Sequence, residues 1–85
     1  MTARERCLAA GAEDAVLFAG DSYDTALIGI TEDGRAVYDF YKMVDWLMEA
    51  EGIDQDEAVD WIYRNTIGSL INAGPFGPII MHPID

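Results

Sequence analysis

Ala26-Leu27-Ile28-Gly29-Ile30-Thr31-Glu32-Asp33-Gly34-Arg35-Ala36-Val37-Tyr38 reads as two apolar runs on either side of a turn. Residues 26–30 predict a buried strand. Thr31-Glu32-Asp33-Gly34 predicts a turn in which Gly34, lacking a Cβ, takes positive φ. Residues 35–38 then return as the partner strand of a hairpin. From Asp39 the apolar period lengthens from two to 3.6. Phe40, Met43, Val44 and Leu47 form one stripe, with Asp39 as N-cap and Gly52 as stop. Asp54 starts a second helix, and Glu57, three residues on, closes a capping box. Ala58, Val59, Ile62, Thr66 and Leu70 supply its inner face as far as about Ile71.

Outward from these elements the signals are shorter. Residues 2–10 predict a short helix stopped by Gly11, and residues 15–18 a short strand before Gly20. Asp21-Ser22-Tyr23-Asp24 is turn chemistry. Asn72-Ala73-Gly74-Pro75-Phe76-Gly77-Pro78 is a loop that helix and strand both reject. Residues 79–82 predict a last strand, which Pro83 ends or places at a sheet edge. The expected architecture is one α+β domain over residues 1–85. It has a small antiparallel sheet of three to four strands built on the central hairpin, two helices packed on one face, and a short N-terminal helix.

Charge narrows the function classes. Sixteen Asp and Glu stand against five Lys and Arg in 85 residues, a formal charge of −11. Such a field repels nucleic acid and anionic membrane and attracts protein surfaces built to hold phosphates. Apolar residues make up 51% of the chain and are regularly patterned, so a folded core is expected rather than disorder. Self-repulsion should make that fold more stable as salt is added. One cysteine, Cys7, and one histidine, His82, supply neither a disulfide nor a zinc-ligand set. No metal or cofactor is expected. Gly11, Glu13 and Asp14 interrupt any signal-peptide run, and nothing approaches the ~18 apolar residues of a membrane span. A reducing, cytoplasmic setting is the expectation.

Catalytic patterns are missing. Asp21-Ser22-Tyr23-Asp24 and Asp54-Gln55-Asp56-Glu57 lack the alternating ligands and sixth-position glycine of a calcium loop. Ser22, Ser69 and Cys7 have no base nearby in sequence, and a Cys7–His82 dyad would have to form in three dimensions. Gly74 and Gly77 flank Pro75 and Phe76 and open no helix, unlike a phosphate-binding loop. The expectation is therefore a protein that is not an enzyme; an enzyme would need a pocket around His82.

The acids themselves have geometry. Asp45 and Glu49 are four apart on the first long helix, and Asp56 and Asp60 on the second, with Glu57 adjacent. Four helical residues rise about 6 Å, comparable to the charge spacing along a nucleic-acid strand. Glu32 and Asp33 in the hairpin turn, and Asp21 and Asp24 before it, extend the array. Like charges four apart cost helix stability, which favours a use for them, while Arg64 is placed to pair with Asp60. The competing account is that acidity serves only solubility. Trp46 falls at the margin of the first stripe and Trp61 almost opposite the second. Trp61 and Phe76 are either exposed interface anchors or covered, Trp61 by the N-terminal helix or the 72–78 loop.

The blocks Ser22-Tyr23-Asp24-Thr25-Ala26-Leu27-Ile28-Gly29-Ile30, Glu32-Asp33-Gly34-Arg35-Ala36-Val37-Tyr38-Asp39, Lys42-Met43-Val44, Glu57-Ala58-Val59 and Asn65-Thr66-Ile67 resemble a group of small acidic bacterial proteins over residues 15–71. That group carries no assigned biochemistry, so the resemblance implies a fold only. In size and charge the chain also resembles the phage-encoded anti-CRISPR proteins that imitate DNA. This second resemblance is one of type, with no shared motif. It implies a non-enzymatic inhibitor that occludes the DNA-binding channel of a CRISPR effector, a basic nucleic-acid-binding protein. Asp45, Glu49, Asp56, Glu57 and Asp60 would form its contact face, extended by Glu32 and Asp33, with Trp61 at the partner-binding surface. The alternative is a host-encoded interaction module that uses Trp61 and Phe76.

Overall fold

The computed structural model describes residues 2–84; Met1, Asp85 and the side chain of Ile71 lie outside the described residues. The hairpin forms around its turn as the sequence predicts. β1 (Leu27–Ile30) pairs antiparallel with β2 (Ala36–Asp39). Across the turn Thr31 N–H donates to the Arg35 carbonyl at 2.8 Å and Gly34 N–H to the Thr31 carbonyl at 3.0 Å. The Thr31 hydroxyl adds a bond to the Asp33 carboxylate and accepts from Arg35 N–H. Gly34 has φ of 86°, which an L side chain resists.

β1 is less buried than its apolar run predicts. The register slips between Leu27 and Gly29, so Ile28 is an extra residue that turns outward and is 41% exposed. The physical reason is position: β1 is an edge strand, and the sheet order is β1-β2-β3.

α2 (Phe40–Glu51) begins where β2 ends. Asp39 Oδ1 accepts Lys42 N–H at 3.1 Å, and Gly52 closes the helix with φ of 65°. Phe40, Met43, Val44 and Leu47 are all buried. α3 (Gln55–Trp61) starts at Asp54, whose Oδ1 accepts Glu57 N–H at 2.9 Å. This is the cap half of the expected box. The complete box forms instead at α1 (Ala3–Ala9), where Thr2 and Glu5 exchange both bonds. The Thr2 backbone bond, helped by its hydroxyl, holds the Glu5 carboxyl below its ordinary range.

The second long helix does not continue as α-helix to residue 71. After Trp61 the chain widens into one π turn (Ile62–Thr66) and then tightens into 3₁₀ geometry (Ile67–Asn72). The inner face still points inward, with Ala58, Ile62 and Thr66 buried. Thr66 Oγ1 meets the Tyr23 hydroxyl at 2.9 Å inside the core. That contact ties the π turn to the segment that leads into β1.

β3 (Ile79–Met81) runs parallel to β2, with Val37 opposite Ile79 and Asp39 opposite Met81. Among the described residues the sheet has three strands and is mixed rather than wholly antiparallel. The intervening α2 and α3 carry the chain back to the start of β2, which is the crossover that parallel pairing needs. Residues 15–18 form no strand. Val16 N–H makes one bond to the Phe76 carbonyl at 3.0 Å, and Phe18 turns inward to an aromatic cluster. There Phe18 packs edge-on against Tyr38 at 4.8 Å and Tyr23 at 5.2 Å, and Tyr23 against Trp46 at 5.0 Å. Tyr23 sits at φ of 62°, and this cluster offsets a strain of roughly 1–3 kcal/mol.

Candidate functional site

The five helical acids stand on the outer surface of α2 and α3, and all five are exposed. At about 100° per residue, Asp56 and Asp60 lie between two rows of α3. One row, Gln55 and Val59, lines a groove against α2. The other, Glu57 and Trp61, borders a concavity of about 500 Å³ with Asp60, Arg64 and Ile53. Glu32 and Asp33 belong elsewhere. They line a separate concavity of about 220 Å³ with Glu13, Asp14 and Phe76. The turn lies at the far end of β2 from the start of α2, so the footprint drawn from sequence divides into two acidic regions.

Little of this charge is neutralised by contact within the chain. Among the described residues the one ion pair joins Arg64 Nε to Asp60 Oδ1 at 3.1 Å, and both partners are exposed. The other arginines serve neutral carbonyl oxygens. Arg4 donates to Glu13 O at 3.4 Å, and Arg6 to Asp24 O at 3.4 Å and Leu27 O at 2.9 Å. Arg35 Nε donates to Gly77 O at 2.9 Å. These three side chains tie segments together and leave the surface carboxylates to solvent.

Trp61 is 49% exposed, so neither the N-terminal helix nor the 72–78 loop covers it. Phe76 is 38% exposed and rests over Gly34. Trp46 is half-buried on Tyr23.

The α2–α3 groove was not singled out by the sequence pattern. Its volume is about 340 Å³, and its walls include Tyr41, Val44, Asp45, Val59, Tyr63 and His82. Phe40 forms the floor. Its ring lies 4.3 Å from His82, 5.5 Å from Tyr63 and 6.0 Å from Tyr41, centroid to centroid. Tyr41 and Tyr63 are 57% and 51% exposed. Tyr41 and Asp45 are four apart on α2, as are Val59 and Tyr63 on the next helical segment. That paired spacing is the sequence signal from which the groove could have been found.

Cys7 is buried between α1 and β1, and it and His82 line different concavities. The dyad considered from sequence is not assembled. Among the described residues no group of three or more His, Cys, Asp or Glu is placed to hold a metal ion, and no helix is long and apolar enough to cross a membrane. Comparison with protein-family models, curated proteins and solved structures finds no match.

Proposed function

We propose that this protein is a non-enzymatic inhibitor that occludes the nucleic-acid-binding surface of a basic protein by imitating phosphate charge, with a CRISPR effector complex as the partner. The observation that carries this reading is the uncompensated surface. With a net charge of −11, one ion pair among the described residues and three arginines turned to carbonyls, the carboxylates of α2 and α3 remain available to a partner's Lys and Arg.

The test is target-DNA binding by a CRISPR effector in the presence of the wild-type chain and of two charge-reversal variants. Asp56→Lys with Asp60→Lys should abolish inhibition while the circular dichroism of the fold is retained. Glu32→Lys with Asp33→Lys, in the separate region, should weaken it less. Inhibition should fall steeply between 50 and 200 mM salt, as contacts that replace phosphates do. Full activity of the α3 double variant would remove charge mimicry.

The exposure of Trp61 favours a second reading, an interaction module anchored on that indole with Phe76. It predicts salt-tolerant capture of a protein from bacterial lysate, lost in Trp61→Ala.

A further inference from the structure

We propose that the groove between α2 and α3 receives an arginine side chain of the basic partner, its guanidinium stacked against the Tyr41 and Tyr63 rings and paired with Asp45. This rests on the charge-mimicry reading and gives it an anchor.

Three observations converge on a guanidinium. The tyrosine rings are more than half exposed, yet they are packed against Phe40, which is only 3% exposed and is fixed in the core. Side chains held in place before binding lose little freedom on contact. Asp45 stands on the wall one helical turn beyond Tyr41, so an acceptor and an aromatic face are offered together. Among the described residues no Lys or Arg lines the groove, its one basic side chain, His82, is taken up in packing on the Phe40 ring at 4.3 Å, and the Asp45 carboxylate has no ion-pair partner.

The Trp61 concavity supplies the contrast. It also joins an aromatic ring to a carboxylate, but there Arg64 already pairs with Asp60 at 3.1 Å. In that concavity the carboxylate already has a guanidinium of this chain, while Asp45, beside Tyr41, is left without one among the described residues. Arginine fits better than lysine because its planar, weakly hydrated head stacks on rings and pairs with a carboxylate at the same time. The groove, at about 340 Å³, is within the ~300–1,000 Å³ range of small-molecule sites.

The test is a ¹H–¹⁵N NMR titration of the full chain with acetylated tri-arginine amide, with tri-lysine amide and sodium chloride at equal ionic strength as controls. Tri-arginine should shift the amides of Tyr41, Asp45, Val59 and Tyr63 and bind at least fivefold more tightly than tri-lysine. Asp45→Asn and Tyr63→Ala, both at exposed positions, should each weaken it about tenfold, and Tyr63→Phe should retain binding. Shifts spread evenly over the acidic surface, equal affinity for the two peptides, no shift at all, or unchanged binding by the Asp45 and Tyr63 variants would each overturn the proposal. Asp56→Lys with Asp60→Lys separates the two ideas. If that variant loses effector inhibition while Asp45→Asn and Tyr63→Ala keep both inhibition and tri-arginine binding, mimicry stands and the groove does not. If the groove variants lose tri-arginine binding while the α3 double variant still inhibits fully, the groove binds arginine and mimicry is removed.

Discussion

Tyr38 carries a hydroxyl shut away at the centre of the sheet. The residue is fully buried, and its oxygen has no partner within hydrogen-bond geometry among the described residues; the nearby Phe18 backbone only partly offsets the burial. Burial pushes the phenol up to about 12, with the Asp24 charge adding to the shift. An unfolded tyrosine titrates near 10. The folded value is the higher one, so its contribution is fully present below pH ~10 and is lost as pH rises toward ~12, a change of at most about 3 kcal/mol. Tyr23, raised by burial against the Thr66 bond, adds in the same direction. Tyr38→Phe should therefore unfold at higher urea at pH 7, by roughly 1 kcal/mol. It should also lose much of the wild-type's fall in stability between pH 10 and 12, measured by urea titration across that range. Residues whose role is local were legible in advance: Gly34 in its turn, and Asp39 and Asp54 at their caps. In the sequence Tyr23 carries only the marks of turn chemistry, because its partners Phe18, Trp46 and Thr66 are brought to it by tertiary packing.

At the scale of elements, the loop from 72 to 78 is a joint rather than a tether. Val16 binds the Phe76 carbonyl, Arg35 binds that of Gly77, and Gly77 and Pro78 are buried. A Cβ at Gly77 would meet the Ala73 Cβ at 2.7 Å and the Gly74 carbonyl at 3.2 Å. Gly77→Ala should cost roughly 1–3 kcal/mol in urea unfolding, because the contacts are a neighbouring Cβ and backbone, neither of which can swing aside. The hairpin, α2 and the start of α3 were readable because period and caps lie within each segment. The direction of β3 was not, since a three-residue strand carries no mark of which way its partner runs. The groove has the same origin. Tyr41 follows Phe40 directly on α2, but Tyr63 reaches that floor only when the turn after α3 packs against α2, and His82 only when β3 pairs with β2.

For the whole molecule, a net charge of −11 sits on a body with a radius of gyration of 12.5 Å. At ~0.01 M salt the Debye length of about 30 Å spans it, and at ~0.15 M it shrinks to about 8 Å. Raising sodium chloride from 10 to 150 mM should raise Tm by several degrees, on the order of 4–8 °C per kcal/mol of relieved repulsion for a domain of this size. A melting temperature that stays put would mean the carboxylates are effectively compensated in solution, against the contact pattern around Arg4, Arg6 and Arg35. The same pattern explains why net charge was legible from composition and its arrangement was not: which carboxylates a cation serves is set by folding, and here most serve none.

Cys7 gives the molecule a gauge of its own opening. It is the chain's one thiol and is 1% exposed on the inner face of the N-terminal helix, which Arg6 fastens to the Leu27 carbonyl. An alkylating reagent meets sulfur only when that helix lifts, so the labelling rate counts excursions at a single seam, without any engineered probe.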